Sequence, residues 1–185
     1  TEYDAFSVAA YAEATYALAD RLALTFGGRL THDDKEYVYG LSRPESGQVP
    51  LPPETLEESW TEFLPKVGIE YQASDNLLLY GNASSGYKAG GYNSRALSGI
   101  APKAFDPEYV DVYELGFKSD VSDTFRINGA IFSSDYTDLQ FTYRVFIAPW
   151  FFNAGKASID GAELEFTWIP SDQWIIEGGL GYLDS

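Results

Sequence analysis

The most restrictive feature of this sequence is an alternation of apolar and polar residues that recurs along the whole chain. In the stretch LALTFGGRLTHD at 22–33, leucine, phenylalanine and glycine occupy one parity, and polar residues such as Arg29 occupy the other. The stretch NAGKASIDGAELEF at 153–166 ends in the same way, with Glu163 and Glu165 between apolar residues. Because successive side chains of a strand point to opposite faces, the pattern predicts strands with one apolar and one charged face.

Segments of this kind are numerous and long. Several exceed the ~5–6 residues that are usual for strands of globular proteins. The sequence therefore predicts an all-β fold with about eight strands, near residues 4–18, 22–36, 59–73, 77–89, 109–119, 125–144, 153–169 and 174 onward.

The connections between these segments alternate strictly between short and long. The short ones are polar and turn-forming, at residues 19–21, 74–76, 119–123 and 170–173. The long ones are rich in proline and glycine, at Lys35–Glu58, Ala89–Glu108 and Val145–Phe152. This rule predicts an antiparallel up-and-down meander with every tight turn at one end, the arrangement of a transmembrane β-barrel.

Aromatic residues cluster next to the short turns. They precede the turns at Tyr16, Tyr71, Phe117 and Trp168, and they follow them at Phe125 and Trp174. On strands these rings would form a girdle at one depth, as at a membrane interface. The alternative is that aromatic residues favour strands and pack a core.

Composition excludes several classes of protein. The absence of cysteine excludes a disulfide scaffold and cysteine-ligated metal sites. A net charge of -16, with only 12 Lys and Arg residues, argues against a nucleic-acid partner. No apolar run approaches the ~20 residues of a membrane helix, and the start TEYDAFSVAAYAEATYAL has no signal-peptide pattern. The sequence also contains no methionine, so we expect the chain to begin inside a longer one rather than to be a protein that is not secreted.

Four motifs give the sequence a family resemblance. They are DNLLLYGNASSGYKAGGYN at 75–93, FDPEYVDVYELGFKSD at 105–120, RINGAIFSSDYTDLQ at 126–140 and the segment 153–166. Together, in this order and spacing, they resemble the barrel of TonB-dependent outer-membrane receptors. The resemblance covers nearly the whole chain.

The resemblance implies a fold and a function. Family members are 22-stranded barrels whose lumen holds a plug domain, and they import ferric siderophores, cobalamin, haem, or in some lineages sugars and nickel. We therefore expect residues 1–185 to form a single partial β-barrel domain, an open curved sheet with two unpaired edges. The plug, the signal peptide and the C-terminal strands are expected to be absent from this chain.

The same resemblance implies partners and a location. We expect the outer membrane of a Gram-negative bacterium, contact with its lipids and lipopolysaccharide, and coupling to the TonB complex through the absent plug. The ligand would be a ferric siderophore or a similar scarce nutrient, and no cofactor is expected. Gly155 and Gly161 share the lumen-facing parity with Glu163, and their small size would leave room for a neighbouring group such as a plug.

Catalytic and metal-binding arrangements find no support. The single histidine, His32, stands beside Asp33 and Asp34, but the spacing matches no metal-ligand motif and suits a solvated strand end. Glu163 and Glu165 lie two apart in one strand and point the same way, so they cannot flank a glycosidic bond. The chain is not expected to be an enzyme.

The loop end of the predicted barrel carries the candidate ligand contacts. Aromatic and cationic groups there could hold an anionic, aromatic ferric chelate through cation-π and charge-assisted bonds. The candidates are Tyr87, Tyr92, Arg95, Arg144, Trp150 and Phe151.

Two other architectures remain open from the residues alone. One is an outer-membrane barrel of another kind, a porin or an adhesin. The other is a soluble β-sandwich or lectin-like binding module, in which the apolar parity would pack inward against a second sheet.

Overall fold

The computed structural model describes residues 2–41, 51–93, 102–145 and 148–185. No helix long and apolar enough to cross a membrane occurs within these ranges. The described residues form twelve strands: β1 (Glu2–Ala19), β2 (Leu22–Leu41), β3 (Leu51–Ser74), β4 (Leu77–Lys88), β5 (Gly91–Tyr92), β6 (Ala104–Phe105), β7 (Glu108–Ser122), β8 (Phe125–Thr137), β9 (Gln140–Val145), β10 (Ala148–Asn153), β11 (Lys156–Ser171) and β12 (Trp174–Asp184).

Eight of these strands form one antiparallel sheet in the order β1-β2-β3-β4-β7-β8-β11-β12. Tight turns join neighbouring strands at residues 20–21, 75–76, 123–124 and 172–173, and all four turns lie at the same end of the sheet. Within the described residues, β1 and β12 are edges that pair on one side only. The predicted up-and-down meander and its open edges are confirmed.

Two strands are longer than the alternation predicted. β2 continues beyond residue 36, and β3 begins before residue 59. The two extensions pair as a ribbon, with Tyr39 opposite Glu54. The predicted loop Lys35–Glu58 is therefore mostly strand, which corrects the sequence interpretation. The sequence pattern does not predict the ribbon because both of its faces carry polar residues. The apolar parity that marks the strands nearer the tight turns is missing there.

The predicted strand 125–144 is wrong as a single element. Asp138 adopts a left-handed conformation with φ of 54°, and the chain leaves the main sheet at this point. It forms the β9–β10 hairpin, with Phe141 opposite Phe152, and returns to the sheet after Gly155, whose φ is 83°. Much of the predicted loop Val145–Phe152 is thus strand β10. Asp and Gly are the residues that tolerate left-handed φ most readily, so both ends of the hairpin suit their conformations.

The main sheet has one apolar and one charged face. Phe26, Leu115 and Leu164 share the apolar face and remain 55%, 61% and 37% exposed, because no second layer covers them in the described part of the chain. On the opposite face Lys66 forms an ion pair with Glu13 at 2.7 Å, reaching across β2. Exposed apolar side chains contradict the sandwich architecture, which would bury them between two sheets.

The apolar face does not extend along the whole of β2. On β2 it runs from Leu22 to Leu30, after which the same parity carries His32 and Asp34. His32 contacts Thr61 Oγ1 through Nδ1 at 2.7 Å and Asp34 Oδ2 through Nε2 at 3.1 Å. The apolar stretch of β2 matches the ~9–11 residues of a transmembrane strand. Beyond Leu30 polar residues occupy both faces of β2.

Large side chains cover the glycines of neighbouring strands. A Cβ atom on Gly129 would lie 2.6 Å from the Phe117 ring, and one on Gly28 would lie 2.6 Å from the Phe63 ring. On the charged face the ring of Phe132 fills the space beside Gly161. The room expected there for a plug is therefore taken by the sheet itself, which corrects the interpretation of Gly161. Gly155, in the connection before β11, has open space around it.

Candidate functional site

Tyrosine rings cover the charged face of the sheet where the β2–β3 ribbon rises above the apolar band. Tyr37, Tyr39 and Tyr92 are only 2%, 3% and 5% exposed. Tyr37 stacks on Tyr39 and on Tyr92, with ring centroids 6.1 and 5.9 Å apart, and Leu56 packs against the group. This cluster is the buried core of the described residues, and it ties the β5–β6 segment to the ribbon.

The partly buried Lys35 also holds the β5–β6 segment against the ribbon. The Lys35 ammonium donates a hydrogen bond to the Gly90 carbonyl and lies 5.7 Å from the centre of the Trp60 ring. Burial lowers the pKa of Lys35, and the nearby Asp33 carboxylate opposes this effect. Through its hydrogen bond to Gly90, the Lys35 ammonium therefore holds residues 89–91 against the ribbon.

A second tyrosine pair lies at the top of β4 and β7. Tyr87 and Tyr109 have ring centroids 5.8 Å apart, and the Tyr109 hydroxyl donates to Glu62 Oε1 at 2.8 Å. Burial, followed by this bond, raises the pKa of Tyr109 to about 12. Burial also raises the pKa of Tyr87, whose hydroxyl makes no well-formed hydrogen bond within the described residues although Asp33 is close enough to contribute to the shift.

Amide side chains join the β5–β6 segment to the β9–β10 hairpin. Asn93 is 1% exposed; its Nδ2 donates to the Phe151 carbonyl at 2.9 Å, and its Oδ1 accepts from the Phe151 amide at 2.6 Å. Nδ2 also lies 3.2 Å from the Lys103 carbonyl. Asn93 thereby replaces a strand neighbour for Phe151, whose ring stacks on Phe105 at 5.4 Å.

Two further amides close the base of the hairpin. Gln140 Nε2 donates to the carbonyls of Ala89 and Asp106 at 3.0 and 3.1 Å. Asn153 Nδ2 donates to the carbonyls of Asp106 and Asp138, while its Oδ1 accepts from the Asp106 amide. These bonds satisfy main-chain groups of three separate connections, so the connections form one packed unit.

We call this unit the loop stack, and it has three layers. The first is the β2–β3 ribbon, the second is residues 89–93 with 102–107, and the third is the hairpin of residues 140–145 with 148–153. The second layer contacts the ribbon through Tyr92 and Gly90, and it contacts the hairpin through Phe105 and Asn93. The layers build out from the charged face of the sheet.

The structure does not bring the six predicted ligand contacts together on one accessible surface. Tyr92 and Phe151 are packed inside the loop stack, and Trp150 lies on the hairpin face that points away from it. Tyr87 packs against Tyr109 at the top of β4 and β7, outside the loop stack. Arg144 is exposed on the hairpin, opposite Pro149. Arg95 lies outside the described residues. Ligand contact by these six side chains stays a prediction.

The residues that organise the site were not found by sequence reasoning. Asn93, Gln140 and Asn153 lie at or beside the ends of short strands and carry no motif, and only their partners far along the chain define their role. Lys35 could have been singled out, because it is a lysine on the charged parity next to the end of the apolar band. In the described residues no group of three or more acidic or histidine side chains could hold a metal ion.

The fold and this site define a class of protein. A meander with a continuous apolar face, a charged opposite face and elaborate connections at only one end is the wall of a transmembrane β-barrel, with the charged face toward the lumen. The loop stack then lies at the lumen side of the barrel mouth.

Comparison with known proteins identifies the family. Residues 1–185 match the family model for the β-barrel of TonB-dependent receptor-like proteins, and the chain belongs to that family. The pesticin receptor of Yersinia pestis is 29% identical over 179 residues, which are 94% of this chain and 25% of that receptor.

Solved structures agree with this assignment. The ferric yersiniabactin uptake receptor FyuA from Yersinia pestis has a TM-score of 0.81 at 26% identity, over 98% of this chain and 27% of the receptor. The siderophore receptor PiuA from Acinetobacter baumannii, at 21% identity, shares the fold with a TM-score of 0.75, over 98% of this chain and 26% of that receptor. The chain spans about a quarter of the length of these relatives. Proteins of this family are receptors and transporters.

Proposed function

We propose that this chain is part of the barrel wall of an outer-membrane, TonB-dependent importer of a ferric siderophore or a similar scarce nutrient. The observation that carries the proposal is the loop stack, a packed structure built on the lumen face directly above the apolar band. A general diffusion pore needs no such structure at its mouth. A receptor that selects its ligand before transport needs a packed structure of this kind at its mouth.

The proposal includes the rest of the assembly. The free edges of β1 and β12 pair with further wall strands, because unsatisfied N–H and C=O groups cannot stand in hydrocarbon. A plug domain fills the lumen and couples to the TonB complex, and the apolar face contacts lipids and lipopolysaccharide. The charged lumen face, with pairs such as Lys66–Glu13, suits a hydrated or plug-filled interior.

Support for the cargo comes from the relatives, one of which is named for ferric yersiniabactin uptake and another as a siderophore receptor. The test is uptake of radiolabelled iron as ferric yersiniabactin, and as ferric catecholate and hydroxamate complexes, by cells that express the full-length protein in place of their own receptors. We expect uptake of at least one chelate that stops when TonB is deleted. TonB-independent passage of many small solutes would instead support a porin.

A further inference from the structure

Strands β3 and β4 pair along only part of their length. The pair farthest from their tight turn is Lys66 opposite Ser84. β3 nevertheless stays paired with β2 as far as Leu51, and β4 stays paired with β7 as far as Lys88. A gap therefore opens between β3 and β4 inside the main sheet.

The hydrogen-bond pattern of β3 shows which main-chain groups border this gap. Leu22 of β2 and Tyr71 of β3 lie opposite each other. The bond from the Gln72 amide to the Arg21 carbonyl marks them as a pair that is not bonded directly. Because bonded and non-bonded pairs alternate along an antiparallel ladder, the odd-numbered residues of β3 direct their main-chain groups away from β2 and toward β4.

A proline lies where the ladder between β3 and β4 stops. Pro65 is one of the residues whose main chain points toward β4, and it has no N–H to donate. The apolar face ends close to the same level, since Phe63 lies opposite Leu30. β3 is thus paired on both sides over most of the apolar band, as a strand in hydrocarbon must be, and its unpaired stretch begins where polar residues take over.

Four residues beyond this point form what we call the free edge: Thr55, Glu57, Ser59 and Thr61. All four are exposed. Within the described ranges their main-chain groups make no bond to β4, to the connections or to a side chain. The Tyr109 hydroxyl bonds to Glu62 and closes the end of the gap nearest Pro65 with side chains only. An exposed row of N–H and C=O groups is a template for a further strand.

Carboxylates surround the free edge. They belong to both strands of the ribbon, at Asp34, Glu36, Glu54, Glu57, Glu58 and Glu62. Lys35 of the same ribbon donates to the Gly90 carbonyl. Two copies of this edge would repel each other, because like charges opposed across a strand pair are destabilising. A strand that carries lysine or arginine has the complementary charge.

We propose that the free edge binds an extended, cationic segment of a protein partner, which joins the sheet as a strand beside β3. Main-chain hydrogen bonds hold the segment, and the surrounding carboxylates select its charge. This interaction is separate from the import of a chelate, because a chelate has no peptide main chain to pair with β3. It adds a polypeptide partner to the proposed function.

The experiment uses the full-length protein in detergent and a short fluorescent peptide in which lysine alternates with threonine and valine. Binding is followed by fluorescence anisotropy. A second peptide has the same sequence but carries methyl groups on two adjacent central amide nitrogens, which blocks both of its edges. It should bind about tenfold more weakly, since strand hydrogen bonds are lost while the charge is kept. A third peptide, with glutamate for lysine, should show no binding.

Variants of the protein test the same bonds from the other side. Ser59→Pro removes the N–H from the middle of the free edge and breaks no bond to β2, because Ser59 points away from that strand. Pro53 and Pro65 have the same parity, so β3 already accepts proline at such positions. Ser59→Pro should weaken binding of the lysine peptide by about tenfold. Ser59→Ala changes only the side chain and should bind within about twofold of the wild type.

Amide hydrogen exchange, resolved to single residues, gives a readout besides affinity. Without peptide the free edge should exchange faster than Leu56, Glu58 and Trp60, whose amides face β2, and the lysine peptide should slow it. The amides that face β2 should exchange equally in Ser59→Pro and the wild type, which shows that the ribbon is intact.

Several results would overturn the proposal. Slow exchange of the free edge without peptide would mean that another part of the full-length protein already pairs with it. Protection that increases with protein concentration would mean that a second copy of the chain occupies it. Undiminished binding of the methylated peptide, of the glutamate peptide, or of the lysine peptide to Ser59→Pro would show that no strand forms beside β3, as would a wild-type protein that binds none of the peptides.

Discussion

The side chain of Asn93 forms two hydrogen bonds with the main chain of Phe151, donating to its carbonyl at 2.9 Å and accepting from its amide at 2.6 Å. The two residues are 58 positions apart and belong to different connections. An asparagine side chain has the same donor and acceptor as a peptide group, so Asn93 can substitute for a neighbouring strand. Together with the bonds of Gln140 and Asn153, this pair joins the second and third layers of the loop stack.

Asn93→Asp should therefore loosen the β9–β10 hairpin while leaving the barrel wall intact. The substitution keeps the acceptor for the Phe151 amide but places a carboxylate against the carbonyls of Phe151 and Lys103. A buried group that loses its partner costs about 1–3 kcal/mol, and more when it is charged. Amide hydrogen exchange should become faster in residues 140–153 and stay unchanged in β7 and β8.

Asn76→Asp is the matched control, because Asn76 is exposed in a tight turn at the opposite end of the sheet. It should leave exchange in the hairpin as it is in the wild type. Equal protection of residues 140–153 in Asn93→Asp and the wild type would show that the Asn93 bonds do not hold the hairpin.

The buried tyrosines predict a pH limit for the loop stack. Burial, then the surrounding carboxylates, raises the pKa of Tyr92 to about 12, and the pKa of Tyr109 is also raised to about 12. An ordinary tyrosine has a pKa of about 10. Between these values the opened stack releases protons that the closed stack retains, so closure is fully favoured below pH ~10 and is weakened as pH rises towards ~12.

Absorbance of tyrosinate, followed from pH 9 to 13 at a rate that allows equilibrium, would measure this transition. The wild type should show a late component near pH 12, and Tyr92→Phe should lack part of it. Tyr143→Phe removes an exposed tyrosine and should leave the late component unchanged. Loss of the same component in both variants would contradict the buried state of Tyr92.

The strands of the wall were predictable because each strand has one face toward lipid and the other toward the lumen. From Leu22 to Leu30 one parity must be apolar for lipid and the other polar for the lumen, and this leaves a period-two signal in the sequence. Above Leu30 polar residues occupy both parities of β2, the period-two signal ends, and the sequence predicts a loop where the β2–β3 ribbon lies. The break at Asp138 was missed for a related reason, since the hairpin continues the strand-like pattern of β8 while leaving its sheet.

The site was predictable only in its location. Loop-end aromatics could be named, but the sequence does not show which rings pack against the protein and which stay free. Tyr92 and Phe151 are used in packing, whereas Tyr143 and Phe141, which were not singled out, are exposed. That division depends on the hairpin register and on the amide bonds of Asn93, both of which are long-range contacts without a local signature.

Glycines under aromatic rings should be sensitive to a single methyl group. Gly129→Ala places a Cβ atom 2.6 Å from the Phe117 ring and 3.3 Å from Leu164, so the ring must move, at a cost of about 1–3 kcal/mol for overpacking. Gly68→Ala, on interior strand β3, makes only ordinary contacts, with the nearest atom, Thr25 Cβ, at 3.6 Å. It should be neutral or slightly stabilising, because alanine lowers the entropy of the unfolded chain.

Urea-induced unfolding of the full-length protein in lipid vesicles would compare these variants. Adding Phe117→Leu to Gly129→Ala should recover part of the loss, since the shorter side chain frees the space above residue 129. Equal stability of Gly129→Ala and Gly68→Ala would show that the position of the Phe117 ring does not require a glycine at residue 129.

The two faces of the wall should differ in their tolerance of charge. Phe26 lies in the middle of the apolar stretch of β2, and the adjacent Thr25 points to the lumen, where its hydroxyl bonds to Thr15 at 2.9 Å. Phe26→Arg places a cation in hydrocarbon and should cost about 2–4 kcal/mol, whereas Leu22→Arg, at the interface, should cost about 0–1 kcal/mol more than the loss of its packing. Thr25→Arg exposes the same charge to a hydrated interior and should be tolerated.

Folding yield into vesicles, with resistance of the folded band to unfolding by detergent and heat, would rank the three variants. The expected order of stability is Thr25→Arg, then Leu22→Arg, then Phe26→Arg. The difference between Leu22→Arg and Phe26→Arg distinguishes a membrane-spanning wall from a soluble sheet packed on one side. In a soluble sheet the two substitutions would destabilise the fold about equally. An order in which Thr25→Arg is the most damaging would mean that the charged face is the packed one, and the barrel orientation would have to be reversed.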